Sequence, residues 1–311
     1  MTSKPSSLLP HSFSTGLAAL DRLIGGVVSG VMYAVGGSTG TGKTRFMLGR
    51  VVHWALSGTK VLYVGTELST ERLKSLMAAD RAKLHWDDVL NAGAKGWDNL
   101  PAESEDAYNA AYQWVEEFVM PNVLVCDKRR PTPKYVMRLM ARARELGCQI
   151  TVIDYIGFLD FREMKSGPKW EKIEQAVFDF NEHAEDIGMA TFLVCQYSRD
   201  DRNGALKFAT PQLQWLAGSA AIENTCWAVL LLSLIGIENP PDALRKAARR
   251  DDSLLALPDF RRIWCGKHRS RKDVTGKCIT LKFNNGEMVA TNSFELEAAM
   301  RVRQTQWEKE T

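Results

Sequence analysis

The chain has 311 residues, 45% hydrophobic and 25% charged, with a net charge of +3, a make-up that excludes intrinsic disorder and fibrous repeats. Its longest apolar run, Cys226 to Ile237, is interrupted by Ser233 and Gly236 and falls short of the roughly 20 residues of a membrane-spanning helix, so it reads as a buried strand. Met1 to His11 is polar with two prolines and lacks the apolar core of a signal peptide, which points to a cytoplasmic protein with no membrane partner.

Short β-branched runs alternate with longer helical stretches, the pattern of an α/β fold whose mostly parallel sheet is covered by helices on both faces. Val31 to Gly36 predicts the first strand, followed by a glycine-rich loop and a helix from about Thr44 to Ser57. Lys60 to Thr66 is the second strand, and Ser69 caps a helix through about Asp80. Leu84 to Met120 is helical and aromatic-rich, with breaks expected at Gly93, Gly96 and Pro101. Then come a strand at Val123 to Cys126, a helix at Pro133 to Leu146, a strand at Gln149 to Asp154 and a helix at Trp170 to Ile187. Thr191 to Cys195 and Cys226 to Leu234 are further buried strands, and Ile263 to Cys265 with Cys278 to Phe283 form a C-terminal antiparallel strand pair. With no internal repeat or long linker, one domain over residues 14–291 is expected, between an N-terminal tail (1–13) and a C-terminal helical tail (292–311).

The six cysteines are scattered, form no C-x-x-C and mostly lie in apolar runs, so they read as small core residues rather than zinc ligands. Positive charge is concentrated in two places. Arg261 to Lys277 holds seven Lys/Arg against the single acid Asp273, and Lys128 to Arg144 holds seven with no acid. Within the latter, Lys134, Arg138 and Arg142 share one helix face, either a solvated face or a nucleic-acid contact.

Gly37-Ser38-Thr39-Gly40-Thr41-Gly42-Lys43-Thr44 satisfies G-x-x-x-x-G-K-[ST] between a predicted strand and a predicted helix. In such a loop the backbone N–H groups curl around phosphates, Lys43 reaches the β/γ oxygens and Thr44 ligates Mg²⁺. Residues 37 to 44, with the adjoining Arg45, are therefore the candidate nucleotide contacts, with ATP and Mg²⁺ as cofactors. Hydrolysis also needs an acid for the metal, and Asp154 at the end of an apolar strand fits. A second acid must orient and deprotonate water; Glu67, just past the second strand, is the candidate base, with a solvated loop acid as the alternative.

The order of these motifs resembles the RecA-like ATPase domain of DnaB-type replicative DNA helicases. The likeness runs from about Ser14 to Val289 and includes Ser14-Thr15-Gly16-Leu17 with Leu20-Asp21, Thr66-Glu67-Leu68-Ser69 and Ile153-Asp154-Tyr155. Cys195-Gln196-Tyr197-Ser198-Arg199, Leu216 to Asn224 and Gly266-Lys267-His268-Arg269 extend it.

The resemblance implies a RecA-like P-loop NTPase in which Gln196 senses the γ-phosphate, Leu216 to Asn224 faces single-stranded DNA, and Lys267 and Arg269 reach a neighbour's nucleotide. Arg199, Arg202 and Lys207 would supply charge to the DNA, and the backbone of Gly218, Ser219 and Ala220 would meet its phosphates. Since no arginine near the loop stands at a recognisable spacing, the arginine is expected from another subunit. The implied assembly is a homo-oligomeric ring, a hexamer, on single-stranded DNA in replication, served by a separate primase or loader because the family's N-terminal primase-recruiting domain is expected to be missing. The competing readings are a RecA-like recombination or regulatory ATPase that binds DNA or a protein without unwinding, and a small-molecule P-loop kinase.

Overall fold

The computed structural model describes residues 11–97, 100–164, 167–197, 207–236, 256–284, 287–291 and 293–310. The chain opens with strand β1 (Ser12–Phe13), helix α1 (Ala18–Ile24) and β2 (Val27–Val28), in which β1 and β2 pair antiparallel across the intervening helix. Asp21 ties this lead-in together, accepting from the Ser14 hydroxyl at 2.6 Å and from the Thr15 backbone N–H and hydroxyl at 2.8 and 2.6 Å. The first of the resembling segments is thus held by a carboxylate that bonds its own turn.

Strands β3 (Met32–Gly37), β4 (Val61–Gly65), β5 (Val123–Cys126), β6 (Ile150–Asp154), β7 (Ala190–Gln196) and β8 (Ala228–Gly236) run parallel. Strands β9 (Ala256–His268), β10 (Cys278–Asn284) and β11 (Glu287–Ala290) continue the sheet antiparallel. Among the described residues the order is β11-β10-β9-β8-β3-β7-β6-β4-β5, with the P-loop strand β3 near the centre.

Helices cover both faces, which is why β3 and β6 are buried at every position and read as unbroken apolar runs rather than alternating ones. One face carries α2 (Lys43–Leu56), α3 (Thr70–Ala82), α4 (Trp86–Lys95) and α5 (Ser104–Trp114), packed on Tyr33, Val35, Tyr63 and Val152. The other carries α6 (Pro133–Glu145), α7 (Lys169–Ile187) and α8 (Ser219–Thr225), packed on Met32, Ala34, Leu62 and Ile153. Helix α9 (Ser293–Glu310) buries Leu296 with Ile235, Leu257 and Phe260. Local signals set several boundaries. The Ser69 hydroxyl accepts from Arg72 N at 3.3 Å and Thr132 does the same for Tyr135 N, starting α3 and α6, while Gly188 at φ 65° ends α7.

Three expectations change. Gly93 lies inside α4 and does not break it; Gly96 at φ 85° ends that helix, and Pro101 turns the chain into α5. The strand expected at Ile263 to Cys265 spans Ala256–His268, because β8 as well as β10 pairs with it: Ile263 lies opposite both Leu232 and Ile279. The C-terminal pair also gains a third strand, β11. Five of the six cysteines are buried as small core residues, and Cys278 is exposed.

Candidate nucleotide site

The loop between β3 and α2 is shaped by close approaches that only glycine permits. A side-chain carbon at Gly37 would sit 2.8 Å from Leu232 O and 2.7 Å from Thr41 Oγ1, and Gly42 adopts φ 89°, in the left-handed region. Thr39 and Gly40 form the exposed tip, while Ser38 is buried and Thr41 wholly so, its hydroxyl donating to Ser38 O at 2.8 Å. Lys43 is buried at the start of α2, and its ammonium donates to Gly37 O at 2.9 Å and Ser38 O at 2.7 Å. Burial lowers the Lys43 pKa to about 8, against the opposing charges of Asp154 and Glu67.

Asp154 ends β6 opposite Gly65, buried, and accepts hydrogen bonds from the Tyr63 hydroxyl at 2.6 Å and from Thr44. Burial pushes its carboxyl upward; the two hydrogen bonds and Lys43 pull it down. Glu67 stands two residues past β4 with one side open to solvent, its pKa raised by partial burial and then by Asp154, with Lys43 opposing. Gln196, half-buried at the end of β7, pairs with Gly37 itself. Lys43, Thr44, Glu67, Asp154 and Gln196 thus gather at the carboxyl ends of neighbouring parallel strands, where ligands of open α/β sheets bind. A nucleotide with a divalent cation fits this set. The loop offers a buried ammonium whose present partners are carbonyls that phosphate oxygens can replace, and Thr44 and Asp154 are hard oxygen donors in mutual contact.

Arg45, next in the chain, is engaged elsewhere: it pairs with Asp80 at 2.8 Å and lies 4.8 Å from the Phe283 ring centroid and 5.6 Å from that of Trp86. An arginine that no spacing in the sequence reveals does stand beside the loop. Arg261 of β9 donates from Nε to Thr41 O at 3.0 Å and from its guanidinium to Phe260 O at 2.8 Å, with Phe283 5.2 Å away. Burial, and next the charge of Arg45, lower its pKa to about 10.

Lys267 and Arg269 are not brought to this chain's own loop. Lys267 pairs with Val229 while the loop sits level with Leu232, three residues or roughly 10 Å along β8. There Lys267 donates to Glu223 O and Arg269 to Asn224 O at 2.9 Å, covering the last carbonyls of α8.

Of the predicted DNA contacts, Arg199 and Arg202 lie outside the described residues, as does Ser198 of the resembling motif, and Lys207 is half-buried. Gly218 caps α8 at φ 76°, followed by half-buried Ser219 and exposed Ala220; the Ser219 N–H is already engaged by Leu216 O at 3.1 Å. This segment is tied to the nucleotide site, since Ala217 N donates to Gln196 O at 3.2 Å and Tyr197 bridges to Leu216. Lys134, Arg138 and Arg142 are exposed on α6, and Arg142 is paired with Glu145.

Two residues of the site escape a sequence reading. Arg261 is found only through the β8–β9 register, and Tyr63 looks like one more core residue of its strand, its one signal being a hydroxyl that needs a partner where every neighbour is buried.

Comparison with known proteins agrees with this geometry. Residues 12–287 match the family model for the DnaB-like helicase C terminal domain. The fold is similar to the ATPase domain of G40P (TM-score 0.71, 16% identity, 92% of this chain and 94% of that one). It is equally similar to a DnaB-like replicative helicase described with its interactions with primase (TM-score 0.72, 16% identity, 92% of this chain and 65% of that one). The DNA repair protein RadA of Mycolicibacterium smegmatis is 31% identical over 116 residues, 37% of this chain and 22% of RadA, so the chain spans about a fifth of that protein's length. Among the described residues no helix is long and apolar enough to cross a membrane. With a RecA-like sheet, a phosphate loop at its centre and a family match across most of its length, the chain belongs to the DnaB-like helicase C-terminal domain family, a helicase and ATPase class of NTP-hydrolysing enzymes.

Proposed function

We propose that the chain is an ATP-driven translocase that works as a homo-oligomeric ring, a hexamer, on single-stranded DNA during replication, with a primase or loader as a separate partner. The observation that carries the proposal is the physical link from the phosphate loop to α8: Gly37 pairs with Gln196, whose carbonyl holds Ala217 beside the Gly218 turn. A shift at the β7 end thereby reaches the segment assigned to DNA.

In this reading the loop N–H groups and Lys43 hold the β/γ phosphates of ATP. Thr44 and Asp154 hold Mg²⁺, which supplies positive charge against the phosphate oxygens when bound. Glu67 orients the attacking water and takes its proton; its raised pKa makes it a better base than an ordinary surface carboxylate. Gln196 registers the γ-phosphate, and Lys267 and Arg269 act in a neighbour's site, consistent with their distance from their own loop. DNA phosphates meet Arg199, Arg202, Lys207 and the backbone around Gly218, Ser219 and Ala220. Because Gly218 is buried and the Ser219 N–H is engaged by Leu216 O, exposed Ala220 carries most of that backbone contact.

A second reading, a RecA-like recombination or regulatory ATPase, draws support from the identity to RadA. One set of measurements separates them: native mass spectrometry with ATP-Mg²⁺ and single-stranded DNA, paired with strand displacement on a forked duplex. Closed hexamers with displacement support the translocase. DNA-stimulated hydrolysis without displacement favours the second reading, and a monomer under all conditions removes the ring.

A further inference from the structure

Tyr63 is fully buried in β4, and its hydroxyl donates to Asp154 Oδ2 at 2.6 Å. The contact is not between directly paired residues. Tyr63 lies opposite Val152 of β6, whereas Asp154 lies opposite Gly65, two positions further along the same face. To reach the carboxylate the ring leans over the Gly65 position. A side-chain carbon there would meet Tyr63 Cε1 at an ordinary contact distance of 3.4 Å and crowd only Leu68 O, at 3.0 Å.

The chemistry of the contact is specific. The phenol O–H donates and the Asp154 carboxylate oxygen accepts, at 2.6 Å. A carboxylate that accepts one fixed hydrogen bond loses freedom to rotate, and its remaining lone pairs then point one way. Partners that orient a metal-associated ligand in this manner are worth roughly 10–100-fold in metal affinity.

We infer that Tyr63 is a positioning residue: it locks the Asp154 carboxylate so that, together with Thr44, it meets the divalent cation of a bound nucleotide in a single orientation. The inference rests on the reading of this site as one for a nucleotide with Mg²⁺. It acts through Asp154 and touches no substrate.

The test replaces Tyr63→Phe, which keeps the ring and removes only the donor, and measures Mn²⁺ retention with bound ADP by electron paramagnetic resonance, alongside ADP binding in EDTA. The expected result is Mn²⁺ affinity weaker by about tenfold with metal-free ADP affinity within about twofold of wild type. Should Tyr63→Phe fail to fold, Tyr63→Met, an adaptable apolar side chain that likewise lacks the donor, provides the same test, and the same selective loss of Mn²⁺ is expected. An unchanged Mn²⁺ midpoint beside a lowered thermal midpoint would mean that the hydroxyl only satisfies the core, and would overturn the assignment while leaving the nucleotide site intact. Wild type that binds ADP yet retains no Mn²⁺ would overturn both.

Discussion

The parallel centre of the sheet and its antiparallel flank use cations in opposite ways. At the centre, Lys43 is buried and bonded to its own loop, so a single short segment holds both the charge and the cradle. On the flank, β9 carries Arg261 near its middle, against the loop through Thr41 O, and Lys267 near its C-terminal end, with Arg269 just beyond it, both on the carbonyls of α8. One strand of 13 residues thus serves two places. A strand rises about 3.3 Å per residue, so Arg261 and Lys267, roughly 20 Å apart along it, cannot both attend the same phosphate group. The centre is a self-contained site, and the flank is divided between this chain's loop and whatever meets the far end.

The largest test of that division is a mixing experiment. Arginine supplied across an interface contributes roughly 10³–10⁵ in rate, so Arg269→Ala should bind ATP and lose hydrolysis by about that factor. Lys43→Ala should abolish hydrolysis and weaken nucleotide binding. Subunits carrying Lys43→Ala still own Arg269, and subunits carrying Arg269→Ala still own an intact loop, so mixed rings contain complete interfaces. Turnover in the mixture should exceed that of either variant alone. No recovery in rings shown by native mass spectrometry to hold both would assign Arg269 to α8 and nothing else.

Next in size is Glu67→Gln, which keeps the shape and removes the base. Turnover should fall by roughly 10²–10⁴ with ATP binding retained, read by a single-turnover assay beside equilibrium binding. Full activity would move the role to another acid.

A smaller effect follows from the lowered pKa of Lys43 in the free site, about 8. Phosphates bind the ammonium form, and their charge raises its pKa on binding. Nucleotide affinity should be level below pH 8 and weaken above it, by roughly tenfold per unit while the bound form stays protonated. Calorimetric titration between pH 7 and about 9.5 checks this, with proton uptake expected on the alkaline side. A flat profile would mean that Lys43 remains charged throughout.

How much of this was legible depended on the range of the interactions. The loop, Lys43 and Thr44 are eight consecutive residues whose geometry is local, and Asp154 ends an apolar run that could only be a buried strand, so their places follow from neighbours in the chain. The lead-in strand pair was invisible because its strands are two residues each, too short for any period. The length of β9 was invisible for the opposite reason. Its pairing with β8 is long-range and shifts register at Val229/Leu230 and Leu234/Gly236, so no spacing within 256–268 reveals that Arg261, rather than Arg262, faces the loop. Tyr63 was hidden by its neighbours: in Val61-Leu62-Tyr63-Val64-Gly65 only the fold shows that its hydroxyl has a carboxylate to meet.

Arg261 provides the smallest and most discriminating prediction. Its hydrogen bond to Thr41 O favours the folded loop, but burial of the guanidinium beside Arg45 opposes it, as the lowered pKa records. The net contribution should be about 1 kcal/mol, below the ~1.5–3 kcal/mol of an unopposed charge-assisted hydrogen bond. Arg261→Met, which keeps the apolar stem against Phe283, should shift the urea midpoint by that amount and weaken ATP binding less than tenfold. Its defect belongs to the loop of the same chain, so mixing Arg261→Met with Lys43→Ala subunits should restore nothing, in contrast to Arg269→Ala. Recovery in that mixture would place Arg261 at the interface as well and make the whole of β9, rather than its far end, the donor to a neighbour.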